Sequence, residues 1–239
     1  MRDAMVARMS DTNKNILAFD TALTGCNVAF TGAEGQRLTK QIETQRDQAK
    51  FLVPMVQDIL GEAGVEFKDI DIIASTNGPG SFTGLRLGLA TARSLGLALN
   101  KPVVGVNTFD FMLTHYRSIG VTGDILIVLE TKRQDFYAQG FNQKDSAITD
   151  MMATSSEEIL DSVDIKGVMV GGDCLERFVA EASVKDMALL DNVTQPDPIL
   201  LCDIVSKRPS SVDNMRVEPI YLRGADISLP KKVPRTLKS

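Results

Sequence analysis

The first part of the chain alternates short apolar runs with turn residues. Three segments, ILAFDT, GCNVAFTG and GQRLTKQIET, are rich in apolar and β-branched residues and follow one another closely. This pattern predicts a meander of three β-strands. The polar stretch of residues 1–14 lacks any such pattern, and we expect it to be a flexible N-terminal extension.

A period of about 3.6 residues, typical of a helix, replaces this alternation in DQAKFLVPMVQDILGEAG. Glycines end the segment, and Pro54 in its interior predicts a kink or a helix that starts near it. The strand IDIIAST, a glycine loop, a helix over residues 85–99 and the strand PVVGV follow. The apolar face of the first helix is formed by Leu52, Met55, Val56, Ile59 and Ala63.

The second half of the chain repeats this order. Strands are predicted at DILIVLE, DFYAQGFN, SAITDM and KGVMVGG, with one helix from Ser155 or Ser156 and another from about Cys174 to Ser183. Two βββαβα subdomains with mixed sheets place the chain in the α/β class. The duplicated unit resembles the actin-like and Hsp70-like (ASKHA) superfamily, whose members bind nucleotide between two such units. The expected domains are residues 15–106 and 107–225, followed by a flexible basic tail over 226–239.

The glycine loop between strand and helix has two interpretations. Gly78, Gly80 and Gly84 are spaced as G-x-G-x-x-x-G, which matches neither the dinucleotide fingerprint nor the P-loop. The loop could still bind an anion, because the helix start carries partial positive charge and Ser81 or Thr83 can cap it. Alternatively, it is a tight turn that requires positive φ angles.

The helix after this loop is apolar around most of its circumference, so more than one side must be covered. Gly88, Ala92 and Gly96 form a stripe without bulky side chains, along which another element can approach closely. Packing within the chain and a subunit interface both explain this stripe. The polar residues of the helix are few: Arg86, Thr91, Arg93 and Ser94.

Composition narrows the classes of function. The net charge of −5 gives no basic footprint for nucleic acid, so any RNA role is expected to be indirect. The three cysteines are far apart, which disfavours a zinc ribbon or a disulfide framework and fits a reducing cytoplasm. No apolar segment is long enough to cross a bilayer, and no signal peptide is recognisable, so we expect a cytoplasmic protein without a membrane partner.

The residues that catalysis usually needs are scarce. His115 is the single histidine, which excludes a His-His metal site, and no Ser-His-Asp set is recognisable. Asp20 ends the first strand, where kinases of the superfamily use a carboxylate, but a structural role in a turn is equally open. Lys132 and Arg133 lie between two acidic residues, Glu130 and Asp135, and this segment is typical of a solvated charged hairpin.

Six segments together resemble the TsaB family, formerly called YeaZ, of tRNA threonylcarbamoyladenosine biosynthesis. In chain order they are ILAFDTALTGCNVAF, PMVQDIL, NGPGSFTGLRLGLATARSLGLAL, GVNTFD, ETKRQDFYA and EPIYLR. The match spans about Ile16 to Arg223, and GPGSFTGLR is its most specific part. This segment also occurs in TsaD, the family's catalytic relative, whose metal-site histidines the chain lacks.

The resemblance implies a non-catalytic subunit without cofactor or metal. It would bind TsaD through the two helices of the first domain and activate TsaD for threonylcarbamoyl transfer to adenosine 37 of tRNAs that read ANN codons. TsaE and the other pathway proteins are further expected partners, as is a second copy of the chain. The alternative function is a small actin-like kinase or ATPase that uses Asp20 and the glycine loop.

The resemblance also assigns residues to sites. We expect Gly88→Leu or Ala92→Glu to leave the fold intact and to abolish complex formation. Gln48 replaces a histidine common in the family, and Glu130, Thr131 and Lys132 replace Asp-Ala-Arg, which disfavours a nucleotide contact there. The expected partner-binding residues are Leu52, Met55, Val56, Ile59, Leu85, Gly88, Leu89, Ala92 and Gly96. The expected residual phosphate site is weak and comprises Asp20, Thr21, Gly78, Gly80, Ser81 and Gly84.

Overall fold

The structure, a computed structural model, describes residues 14–44, 47–164, 167–182, 187–208 and 217–222. The first half contains β1 (Ile16–Asp20), β2 (Cys26–Thr31), β3 (Arg37–Ile42), α1 (Gln48–Ala63), β4 (Ile72–Gly78), α2 (Phe82–Leu99), β5 (Val103–Asn107) and α3 (Thr108–Ser118). The second half contains β6 (Ile125–Glu130), β7 (Phe136–Phe141), β8 (Met152–Thr154), α4 (Ser156–Asp161), β9 (Met169–Gly172), α5 (Leu175–Ala182), β10 (Ala188–Asn192) and α6 (Ile199–Ser206). The expected N-terminal extension, up to residue 13, and the basic tail lie outside the described residues.

Both halves have the same sheet topology. The first sheet has the order β3-β2-β1-β4-β5 and the second the order β8-β7-β6-β9-β10. In each sheet the first three strands of the half pair antiparallel, and the two strands that follow helices pair parallel. Each half is therefore a βββαβαβα unit, one strand and one helix longer than the predicted βββαβα repeat. Two such units with mixed sheets form an α/β actin-like fold.

One local expectation was wrong, and one that the sequence left open is decided by the structure. The third strand of the second half was predicted at SAITDM, but β8 begins at Met152. The Asn142 side chain accepts hydrogen bonds from the amides of Lys144 and Ser146 and folds this stretch into a turn. The start of α1 was also open between two positions, and the helix begins at Gln48, well before Pro54, which is exposed.

Two hydrophobic clusters cover the two faces of the first sheet. On one face, Phe19 and Phe30 are fully buried against α1 and α2, and burial of each contributes roughly 1.5–3 kcal/mol. On the other face, α3 and α6 lie between the two sheets. A third cluster joins the outer face of the second sheet to α4 and α5.

The last helix crosses between the halves. Although α6 follows the second sheet in the chain, it packs on β1, β2 and β4 of the first sheet, and Cys202 and Leu201 are fully buried there. Arg37 of β3 forms a bidentate ion pair with Asp203 of α6, both bonds at 2.8 Å. Among the described residues, no helix is sufficiently long and apolar to span a lipid bilayer.

Candidate functional site

A cavity of about 580 Å³ opens between the two halves, at the carboxyl ends of β1 and β6. Ligand sites of α/β proteins lie at such ends, and a volume of several hundred Å³ is typical of them. The first half contributes the turn after β1, the glycine loop and the first turn of α2. The second half contributes the turn between β6 and β7 and Asp173 after β9, and residues 220–222 complete the wall.

Asp20 lies fully buried beside this cavity, and both of its carboxylate oxygens are already bonded within the chain. Oδ1 accepts the amide of Ala22 at 2.9 Å and the hydroxyl of Thr76 at 2.6 Å. Oδ2 accepts the side-chain amide of Asn27 at 3.2 Å. Burial raises the pKa of Asp20, against the opposing effect of these hydrogen bonds. The geometry is that of a structural carboxylate that fixes the turn between β1 and β2.

The glycine loop packs against the same turn. The amide of Ser81 donates to the carbonyl of Ala22 at 2.8 Å, and the Ser81 hydroxyl caps α2 by accepting the amide of Gly84 at 3.3 Å. A Cβ added at Gly80 would lie 2.7 Å from the same carbonyl of Ala22. Gly78 has a φ of 114°, which only glycine adopts readily. The turn after β1 therefore packs directly against the glycine loop, and its Ala22 carbonyl accepts the amide of the N-cap residue Ser81.

The other residues of the expected phosphate site also make structural contacts. The Thr21 hydroxyl donates to the carbonyl of Gly84 at 2.7 Å, and a Cβ at Gly84 would lie 1.7 Å from the carbonyl oxygen of Thr21. The Gln48 side-chain amide donates to the carbonyls of Thr21 and Gly25. The structure brings all six predicted residues together, in contacts made within the chain.

The opposite wall carries a charge network that sequence analysis missed in part. Arg177 of α5 binds Glu130 at 2.9 and 3.0 Å and lies over the ring of Phe136, 3.8 Å from its centroid. Glu130 is therefore half-buried and paired, which corrects the expectation of a solvated hairpin. Lys132 and Arg133 are exposed and line the cavity. Arg177 was missed because it lies 47 residues from Glu130 in the sequence.

Asp173 is the most perturbed acid of this wall. Burial and, to a smaller extent, the nearby charge of Glu130 raise its pKa from 3.8 to about 6, against the opposing effect of the Glu130 amide, which donates to its Oδ1 at 2.8 Å. Sequence analysis did not select it, although GGDC at the end of a strand was a usable signal. In the described parts of the chain, no group of three or more His, Cys, Asp or Glu side chains could hold a metal ion.

His115 lies outside the lining of the cavity. It sits on α3 in edge contact with the ring of Tyr116, and burial lowers its pKa. His115 is thus half-buried on α3, away from the cavity.

The nine expected partner-binding residues all face the first sheet. They are buried on the inner faces of α1 and α2. A Cβ at Gly88 would lie 2.7 Å from the Thr21 hydroxyl, and one at Gly96 would lie 2.3 Å from a methyl group of Val103. The small-residue stripe therefore serves close packing within the chain. The expectation that Gly88→Leu or Ala92→Glu would leave the fold intact conflicts with this geometry.

The outer faces of the same helices expose a different set of side chains. We call residues 86, 90, 93 and 97 the outer stripe of α2, since they lie on one helical face. Leu97 is 86% exposed, and Val53 on α1 is 46% exposed. Arg86 lies over the ring of Phe82, 3.9 Å from its centroid. Partner binding by these helices stays a prediction, and the outer faces are the surface that it can use.

Comparison with known proteins finds a matching family model and relatives that are named TsaB. A family model described as "TsaD: tRNA N6-adenosine threonylcarbamoyltransferase" matches residues 36–195. The chain is 27% identical over 202 residues to the tRNA threonylcarbamoyladenosine biosynthesis protein TsaB of Buchnera aphidicola subsp. Baizongia pistaciae, with 81% of this chain and 89% of that protein covered. It is 34% identical over 134 residues to TsaB of Escherichia coli strain K12, with 56% and 57% covered.

The fold has a close counterpart among solved structures. A crystal structure of an uncharacterized protein with similarity to peptidase YEAZ from Pseudomonas aeruginosa superimposes with a TM-score of 0.76 at 25% identity, covering 88% of this chain and 100% of that chain. Fold and site thus define an actin-like protein with a cavity between its two halves, where the turn after β1 packs against the glycine loop. The chain belongs to the family of the matching model and, within it, to the TsaB (YeaZ) family.

Proposed function

We propose that this chain is a non-catalytic subunit that binds TsaD and activates it for threonylcarbamoyl transfer to adenosine 37 of tRNAs that read ANN codons. Membership of the TsaB family supports a role in this tRNA modification. The observation that carries the non-catalytic assignment is the cleft itself. The Ala22 carbonyl accepts the amide of Ser81 at the N-cap of α2, and both carboxylate oxygens of Asp20 accept donors from within the chain.

TsaD binds, in this proposal, on the outer faces of α1 and α2. Leu97 and Val53 supply exposed apolar area, and Arg86 and Arg93 of the outer stripe supply cations. Arginine and large apolar side chains flanked by polar residues are typical of interfaces between proteins. A second copy of the chain would use the same faces in the absence of TsaD. TsaE would join the assembled pair, and tRNA would contact the chain only indirectly.

The test is a reconstituted transfer reaction with purified TsaD, the other pathway proteins and unmodified tRNA. Transfer is measured with this chain, without it, and with this chain but without TsaD. The proposal predicts transfer only when both proteins are present. Transfer of equal rate without this chain contradicts activation, and transfer or ATP turnover by this chain alone contradicts the non-catalytic assignment.

A small kinase or ATPase is the second candidate, and the cavity of about 580 Å³ favours it. Arg86, Lys132 and Arg133 line this cavity and provide positive charge for an anionic ligand. This function predicts magnesium-dependent ATP turnover that Lys132→Ala reduces. Lys132 is exposed, so the variant should fold like the parent chain, and turnover at background level in both contradicts this candidate.

A further inference from the structure

Residues 217–222 lie across the carboxyl end of the first sheet, although they come last among the described residues. We call them the strap. The amide of Ile220 donates to the carbonyl of Asn77 in β4 at 2.7 Å, and the Asn77 side-chain amide donates to the carbonyl of Glu218 at 3.2 Å. A Cβ at Gly78 would lie 2.7 Å from the carbonyl oxygen of Ile220, so the strap passes close against the backbone of β4.

The strap is also a wall of the cavity. Ile220, Tyr221 and Leu222 line it opposite Lys132 and Tyr137 of the second half. The ring of Tyr221 packs on Phe82 of α2, with centroids 5.5 Å apart. Access to the cavity therefore depends on where the strap lies.

The start of the strap is held from α2. The Arg93 guanidinium donates to the carbonyl of Val217, whose side chain is buried against Gly105 of β5. Arg93 belongs to the outer stripe, with Ala90 and Leu97 on the same helical face. One side chain thus touches both the strap and the helix face that we assign to TsaD.

We propose that the strap is a lid over the cavity and that Arg93 is its latch, coupled to partner binding on the outer stripe. A carboxylate of a partner binds a guanidinium more strongly than a neutral carbonyl does, because both groups are then charged and the pair can be bidentate. A partner with an acidic side chain over α2 therefore draws the Arg93 guanidinium away from the Val217 carbonyl. The strap loses its anchor, and its open state becomes more populated.

The latch does not depend on the partner's identity, whereas the coupling rests on the proposed function. The two parts are separable because the Ile220 amide reports on the strap directly. Its hydrogen bond to Asn77 must open before the amide can exchange with solvent.

The experiment is hydrogen exchange of the Ile220 amide in the full chain, followed by NMR. Arg93→Ala should speed this exchange about three- to tenfold, as expected for the loss of one hydrogen bond to the strap. Arg93→Lys, which keeps the charge and one donor group, should give an intermediate rate and serves as the second variant. Lys50→Ala, which removes an exposed cation from α1, should leave the rate unchanged.

The coupling is measured on the wild-type chain with and without purified TsaD. Faster exchange at Ile220 in the complex supports the coupling. Unchanged or slower exchange in a complex that forms overturns it, and a wild-type rate in both Arg93 variants overturns the latch. Failure of TsaD to bind at all contradicts the proposed function and the coupling, while the variants of the free chain still decide the latch.

Discussion

The absence of Cβ atoms at two glycines determines how closely α2 packs against the first sheet. Gly84 and Gly88 place the helix backbone against Thr21 and Ser75, where an added Cβ would lie 1.7 to 2.8 Å from oxygen atoms of these residues. Interiors packed at this density respond to a single methyl group. The glycines of the loop and the helix thus allow close packing within the chain.

Gly84→Ala should destabilise the chain, because the new methyl group collides with the Thr21 carbonyl. We expect a loss of about 2–3 kcal/mol in the free energy of unfolding, measured by urea denaturation. Gly61→Ala is the matched control, since a Cβ at Gly61 of α1 meets nothing within 4 Å. It should stabilise the chain by roughly 0.5–1 kcal/mol through helix propensity. Equal stability of Gly84→Ala and wild type would refute the close contact.

Asp173 gives a pH-dependent prediction. Its pKa is raised to about 6, so between about pH 4 and 6 the folded chain keeps a proton that the unfolded chain has lost. The stability from this group is present at low pH and is lost as the pH rises through 6. Asp173→Asn mimics the protonated form at every pH. The free energy of unfolding of the variant, relative to wild type, should therefore rise by roughly 1–2 kcal/mol from pH 4 to pH 7.

This difference is read from urea denaturation at several pH values. Gly61→Ala, which changes no titratable group, is the control and should run parallel to wild type. A relative stability of Asp173→Asn that stays constant across this range would show that the carboxyl titrates equally in both states.

At the scale of elements, periodicity predicted most of the fold. All five strands of the first sheet and both of its outer helices follow from apolar patterns in the sequence. β10 and α6 were missed because ALLDN and ILLCDIVS are short and lack a clear period. The two faces of α2 could not be told apart, since apolar residues surround the helix and only packing shows which of them meet the sheet.

The site was predictable in composition but not in contacts. The glycine loop and Asp20 were recognisable from the sequence, whereas their saturation by Ala22, Asn27 and Thr76 depends on where the turn after β1 folds. Arg177 and the strap reach the cleft from distant parts of the chain. Such long-range pairs leave no local pattern in a single sequence.

Leu97→Glu tests the outer stripe as a docking element. Leu97 is 86% exposed, so the variant should keep the stability of wild type while placing a charge in the proposed interface. We expect affinity for TsaD, measured by calorimetry, to fall at least about tenfold. Ile119→Glu changes another exposed apolar residue, 58% exposed after α3, and should bind normally. Wild-type affinity of Leu97→Glu would exclude this stripe from the interface.

For the whole molecule, the two halves share a core. The inner face of the first sheet, with Ile16, Ala18 and Val106, is covered by α3 and α6. A chain cut after residue 107 lacks both helices. We expect it to lose near-UV circular dichroism and to bind a hydrophobic dye, as loosely packed states do. A chain that ends at residue 222 keeps both helices and should unfold in one cooperative transition. Cooperative unfolding of the short fragment would argue for an independent first domain.

Because α6 comes late in the chain, it can cover the first sheet only near the end of synthesis. The chain completes the first sheet at Asn107 and α3 follows at once, but α6, which covers the rest of the inner face, begins only at Ile199. At roughly 5–20 residues per second, the ribosome needs about 5–20 s to cover this distance. During that interval the part of the apolar sheet face that α6 covers in the folded chain stays exposed to solvent. The demand for chaperones should therefore peak while the second half is being translated and end when α6 emerges.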